Sequence, residues 1–239
     1  MGWKAWIYRL VLLGFIVACL YPVYQIQVVE KREAQQKVKA FEARLEAKDD
    51  GEFSIEKSLL KELGVLYVPS LDLTLPIYKG TGEVAITHGV GLIDGTGDLV
   101  GKNMNPVLTA HNGLTNSTLF MNLDKMKKGD PFFVKTSSGV REYKVISQEI
   151  VSPAGETFEK PEGRNLMTLR TCTPVFVNSH RLHVLGEEVP FNGAIGAGKL
   201  VFSLYEKILM GFSALAFLLF ALSFKKKRGE ERCRRNSVR

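Results

Sequence analysis

The sequence predicts a mainly β domain, built as a small barrel or sandwich and held between two transmembrane helices. Three observations carry this: an uncharged apolar stretch near each end, short β-type runs separated by turn residues over 64–192, and few helical periodicities in that span. At 239 residues the chain holds one medium domain plus anchors, not two domains with separate cores.

The first apolar stretch, Leu10 to Tyr24, has no charge in fifteen residues. As a helix it covers about 22 Å, short of a hydrocarbon core of about 30 Å. Ala5 to Tyr8 extend it if Arg9 snorkels to the interface, where Trp3, Trp6 and Tyr8 are also at home. No A-x-A-like cleavage site follows. Ile16-Val17-Ala18-Cys19 resembles a lipoprotein processing box, but Leu20 to Tyr24 continues apolar, so residues 1–28 are expected as an uncleaved anchor. The second stretch is Ile208 to Phe224, which Leu200 to Tyr205 can lengthen across Glu206 and Lys207. It is expected as a transmembrane helix over 200–224 after a linker at 193–199.

The tail 225–239 carries eight Lys/Arg against two Glu, a net of +6, and residues 1–24 add +2 through Lys4 and Arg9. The chain as a whole is +7, so residues 25–224 sum to about −1. The basic balance therefore belongs to two juxtamembrane flanks and predicts no nucleic-acid partner. Positive flanks at both ends predict a multi-pass membrane protein with both termini cytoplasmic and the central domain on the extracytoplasmic face.

Residues 29–63 are charge-rich. Val38, Phe41 and Leu45 make a narrow apolar stripe on a helix, expected as a stalk between membrane and domain, broken at Asp49-Asp50-Gly51. A coiled-coil partner is the alternative for that stripe. A second short helix is expected from Ile55 to Leu63, stopped by Gly64. From Gly64 the character turns to β. Val65–Val68 and Leu73–Tyr78 read as strands, with Pro76 marking an edge or a bend. Glycine-studded turns run from Gly80 to Gly101, then an apolar run leads from Pro106 to His111. Thr115–Lys128 reads as a short helix with Leu119, Phe120 and Leu123 inward. Strands follow over Pro131–Thr136, Val140–Val151, Asn165–Cys172 and His180–Val189.

Of three cysteines, Cys19 lies in the anchor and Cys233 in the tail, so Cys172 is the sole thiol of the central domain. A lone thiol in an exported domain reads as a reactive group, an intermolecular crosslink or a chance buried residue. Cys172 ends a β-type run and Thr173-Pro174 stops it. A thiol of ordinary pKa, about 8.5, is only slightly ionised near neutrality and needs a nearby base or cation to attack. His111 also terminates a strand, with Asn112-Gly113 as its turn. Arg181 follows Cys172 by nine residues, a hairpin-sized gap, and a guanidinium there can donate to an oxyanion. By spacing alone Arg170 and His183 compete for the same groove. His88 reads as a turn residue, and His183 as a barrel-wall residue. Thr171 and Thr173 alternate away from Cys172 and read as packing.

Thr168-Leu169-Arg170-Thr171-Cys172-Thr173-Pro174 followed by Asn178-Ser179-His180-Arg181-Leu182 resembles the active-site signature of sortases. The resemblance is greatest to class C, the pilus-assembling branch, in which a TL-x-TCTP segment precedes N-T/S-H-R-L. Leu66-Tyr67-Val68-Pro69, Leu75-Pro76-Ile77-Tyr78, Asp94-Gly95-Thr96, Thr109-Ala110-His111, Leu119-Phe120, Leu123-Asp124-Lys125 and Gly129-Asp130 resemble the family in the same order. The likeness covers roughly 64–191. It implies a closed eight-stranded β-barrel with short helices over 64–192, with Cys172, His111 and Arg181 as catalytic residues and neither cofactor nor metal. The implied reaction is attack by Cys172 on the Thr–Gly bond of an LPXTG-like sorting signal, then transfer of the thioacyl group to an amine. That amine is a pilin lysine in pilus polymerisation or a peptidoglycan precursor in wall anchoring. The implied partners are pilins or surface proteins bearing the signal. A thiol peptidase and a non-catalytic pilus scaffold are the readings from other classes. Many class C members carry an Asp-Pro-aromatic lid; here only Asp50-Gly51-Glu52-Phe53 approaches it, without the proline.

Overall fold

The structure, a computed structural model, describes residues 3–47, 61–113, 119–175, 177–199 and 201–236. Among these are the helices α1 (Trp3–Tyr24), α2 (Lys31–Ala47), α3 (Glu83–His88) and α4 (Leu204–Asn236). The strands are β1 (Glu62–Val68), β2 (Leu73–Lys79), β3 (Val90–Leu92), β4 (Val107–Thr109), β5 (Pro131–Thr136), β6 (Gly139–Val151), β7 (Leu166–Thr173) and β8 (His180–Val189). Contacts divide the chain into two units, Lys31–Val201 and the paired ends Met1–Glu30 with Phe202–Arg239.

In the larger unit the strands close into a barrel in the order β1-β2-β3-β4-β7-β8-β6-β5, with β5 returning to β1. Only β2–β3 and β4–β7 are parallel. Closure removes the free edges that an open sheet of this length would expose. Pro76, expected at an edge or a bend, pairs with Val65 of β1, while β3 joins β2 only from Ile77 onward. The proline thus occupies a locally open edge of a strand that is otherwise internal. Alternation sends Met167 and Leu169 of β7, and Leu182 and Val184 of β8, into the core with Phe120, Leu123 and Phe132. Each such side chain contributes roughly 1.5–3 kcal/mol on burial. Gly186 makes room for Phe132, which stacks on Tyr143 at 5.3 Å; a Cβ at 186 would come within 2.4 Å of the ring.

Four sequence expectations are corrected here. The helix expected over Thr115–Lys128 is, among the described residues, a single 3-10 turn at Leu123–Lys125, although Phe120 and Leu123 are buried as anticipated. The glycine-rich stretch from Gly80 contains α3, which its turn chemistry concealed. The helix of the expected stalk does form, but α2 packs on the barrel: Val38 and Phe41 bury Val65, and Glu42 accepts from Tyr67 Oη (2.8 Å) and Lys135 Nζ (2.7 Å). The apolar stripe is thus used within the chain. Glu62 and Leu63 belong to β1, and the rest of the short helix expected over Ile55–Leu63 lies outside the described residues, as does Asp50–Phe53.

In the smaller unit α1 packs against α4. Among the described residues two helices are long and apolar enough to cross a membrane, one within Trp6–Ala43 and one at Leu204–Phe224. Arg9 donates to the Ser223 hydroxyl (3.1 Å) and carbonyl (3.0 Å) and lies over the Phe224 ring at 3.9 Å. The second helix begins at Leu204, later than the expected start at 200. A reciprocal capping box sets that start: the Ser203 N–H donates to Glu206 Oε2 (2.6 Å) and the Glu206 N–H to Ser203 Oγ (3.2 Å). Gln27 donates to the other oxygen of the same carboxylate at 2.5 Å.

Candidate active site

Three strands deliver the candidate residues to one rim of the barrel. Antiparallel pairing of β7 with β8 sets Cys172 directly opposite Arg181, and Arg170 opposite His183. All four lie on the face of these strands turned away from the core, because Leu169, Thr171, Leu182 and Val184 occupy the inner one. Parallel pairing of β4 with β7 matches Thr109 to Arg170. Three further bonds carry that register to the rim. The Ala110 N–H donates to the Arg170 carbonyl (3.4 Å), Thr171 Oγ1 to the Ala110 carbonyl (2.9 Å), and Asn112 Nδ2 to the Cys172 carbonyl (2.7 Å). His111 is thereby held alongside Cys172, and its own carbonyl accepts from the Phe120 N–H at 3.0 Å. Thr171, 1% exposed, has the packing role expected of it.

Cys172 is a free thiol and half-buried. Arg181 is steadied by its own hairpin: Nη1 donates to the carbonyls of Asn178 (3.0 Å) and His180 (2.9 Å). Asn178 adopts φ 56°, a left-handed turn conformation that asparagine tolerates. The Arg181 Nε atom is buried without a hydrogen-bond partner among the described residues, and so is His111 Nε2. Glu83 of α3 places Oε1 3.5 Å from that imidazole nitrogen.

The two competitors are engaged elsewhere. Glu156, from the loop between β6 and β7, receives Arg170 in a two-pronged pair at 2.5 and 2.8 Å, and His183 Nε2 at 2.6 Å. Arg170 also donates to Thr109 Oγ1 at 3.2 Å. His183 is 3% exposed, with the Phe158 ring at 5.2 Å, a wall position as expected. Burial pushes the Glu156 carboxyl up, but hydrogen bonds and charge from Arg170 and His183 outweigh it and hold it at about 2. His88 ends α3, exposed, with Nδ1 2.8 Å from the Val84 carbonyl. Sequence reasoning missed Glu83 and Glu156. Neither sits in a motif, and each meets its partners only through the closed barrel.

The Sortase domain family model matches residues 66–189, and the chain belongs to the sortase family. It is 30% identical over 169 residues to Sortase A of Streptococcus agalactiae, covering 63% of this chain and 65% of that curated relative, just under two thirds of its length. Among solved structures it is similar to sortase C-1 of Actinomyces oris, with 38% identity, a TM-score of 0.52, and coverage of 60% of this chain and 83% of that one. Sortase C1 of S. agalactiae matches with 34% identity and a TM-score of 0.53 over 75% of this chain and 96% of that one. The structural neighbours thus include class C enzymes.

Proposed function

We propose that this chain is a membrane-anchored cysteine transpeptidase that cleaves an LPXTG-like sorting signal between Thr and Gly. Cys172 Sγ attacks the threonine carbonyl, Arg181 donates to the oxyanion, and His111 protonates the departing glycine amine, leaving a thioacyl enzyme. An incoming amine then gives a proton to His111 and displaces the sulfur. The observation that carries this reading is the strand register, which sets Arg181 opposite Cys172 and His111 beside it within a sortase domain. A pilin lysine is the favoured amine because solved neighbours include class C sortases; a peptidoglycan precursor is the alternative acceptor.

The test is mass spectrometry of the chain mixed with sorting-signal peptides. An acyl adduct on Cys172, absent from Cys172→Ala and discharged faster by a lysine amine than by water, is the expected result. Discharge to water alone points to a peptidase, and an unmodified thiol with every peptide defeats the reading.

The catalytic unit is taken as 64–192, with anchors at 1–28 and 200–224 and both termini cytoplasmic, following the +6 tail and the Lys4/Arg9 flank. Protease added to intact protoplasts is expected to digest the central domain and spare a C-terminal tag. Loss of that tag overturns the orientation.

A further inference from the structure

The geometry points to Glu83 as the positioning residue of His111: its carboxylate fixes which ring nitrogen carries the proton and steadies the imidazolium. The inference rests on the transpeptidase reading for what His111 does, though not for how the ring is held.

Two independent observations converge on the imidazole. Its Nε2 is closed off from solvent and makes no hydrogen bond among the described residues. Glu83 Oε1 stands 3.5 Å from that same atom. An unpartnered buried polar nitrogen is costly, and the carboxylate is the acidic group beside it. A shift of roughly half an ångström by a surface side chain, itself 66% exposed, brings the pair within ordinary hydrogen-bond distance.

The segment that follows α3 is closely confined. α3 bridges parallel strands β2 and β3, and tight glycine contacts seat the segment. A Cβ on Gly89 would meet the Pro76 carbonyl oxygen at 2.3 Å, and one on Gly91 would meet that of Gly80 at 2.4 Å. These contacts hold the C-terminal end of α3 against β2, and Glu83 at its first residue lies 3.5 Å from His111, two residues beyond the end of β4.

The chemical consequence follows from which nitrogen is covered. A substrate amine cannot reach an occluded Nε2, so proton traffic passes through Nδ1. A carboxylate accepts but cannot donate when ionised, so it selects the Nε2–H tautomer and leaves the Nδ1 lone pair open. Nδ1 first takes the Cys172 thiol proton as the sulfur ionises for attack, and when thioacyl formation then breaks the C–N bond the leaving nitrogen takes that proton from Nδ1. When the acceptor amine forms its new C–N bond and the C–S bond breaks, Nδ1 takes that amine's proton. In both half-reactions the ring alternates between neutral and doubly protonated while Glu83 stays ionised, an orienting third group of the kind that nucleophile–base pairs use. The charged group set against the ring is Glu83 from α3, at 3.5 Å, and the titratable or charged groups on the neighbouring strands of the rim are Cys172 of β7 and Arg181 of β8.

The experiment uses the full chain in detergent micelles, with 15N-labelled histidine for ring NMR and steady-state transfer of an LPXTG-like peptide to a lysine amine. In the native protein the neutral His111 ring is expected as the Nε2–H tautomer. Glu83→Ala should lose that preference and lower kcat about tenfold, with KM for the peptide within about twofold. Glu83→Gln, which keeps the side-chain length and an accepting oxygen without the charge, should hold the tautomer and recover only part of kcat. A native ring protonated on Nδ1 when neutral, or a Glu83→Ala variant with unchanged kcat, overturns the proposal. If the native chain forms no acyl adduct, the transpeptidase reading fails, and the tautomer measurement alone still decides the role of Glu83.

Discussion

Arg170–His183 and Cys172–Arg181 are neighbouring cross-strand pairs on the same face of the same two strands, yet they have opposite characters. The first is saturated: one carboxylate takes two guanidinium bonds and an imidazole bond, and Phe158 covers the histidine. The second is left open, with a free half-buried thiol and a guanidinium whose Nε has no partner among the described residues. Strand geometry is common to both, so the difference comes from what the surrounding loops supply. A mostly buried charge needs full pairing to be tolerated, and Glu156 provides it. An unpaired donor is kept at a cost in stability, and a place to receive a developing negative charge is what that cost secures. An arginine two residues before the cysteine and one nine residues after it look equivalent by spacing alone, and the partner inventory separates them.

The largest expected effect breaks the comparison if it fails. Removing an oxyanion donor costs about 10²–10³-fold in rate. Arg181→Ala is therefore expected to slow acylation of Cys172 by at least about 100-fold while leaving the folded barrel intact. Arg170→Ala should slow acylation by less than about tenfold in protein that remains folded, and lower the melting temperature instead. Single-turnover acylation followed by mass spectrometry, with a circular dichroism melt on each variant, checks both. If Arg170→Ala abolishes acylation in folded protein while Arg181→Ala does not, the two arginines must exchange roles.

The strands and most of the rim were legible because their signals are local. The bounds of β5 and β8 coincide with the strand-like runs Pro131–Thr136 and His180–Val189, and a hairpin-sized gap was enough to set Arg181 near Cys172. The approach of His111 to Cys172 needs the parallel β4–β7 pairing, which spacing does not reveal; there the family resemblance supplied the link. Elements whose stability comes from distant partners were hidden. α3 lies in a glycine-rich stretch with a weak helix signal and is seated by its contact with β2. The stripe on α2 is compatible with a stalk, a coiled coil or a barrel-facing helix, and it is Val65 that decides between them. Glu156 meets Arg170 and His183 across 14 and 27 residues, so nothing around it in the chain distinguishes it from a solvated loop carboxylate.

A smaller effect, read in stability instead of turnover, sharpens the contrast from the saturated side. The Glu156 carboxyl is held at about 2 in the fold against an ordinary value of 4.5, so the native state favours its ionised form. Linkage gives the sign. The stabilisation is fully present above a pH of about 4.5 and is lost as the pH falls through that value towards about 2. At neutral pH, Glu156→Gln should cost about 3 kcal/mol, the scale for stranding one partner of a buried ion pair. The cost falls on Arg170, whose guanidinium keeps its charge and loses its two-pronged acceptor, and on the hydrogen bond from His183. Below pH 4.5 the native carboxyl begins to lose the same advantage, so the gap between native and Glu156→Gln should narrow steadily towards pH 2. Denaturant melts of the full chain in detergent at pH 7, 4 and 3 measure that gap directly. A gap that stays constant with pH would mean that the Glu156 charge does not stabilise the fold, and the saturated pair would then be held by packing under Phe158 alone.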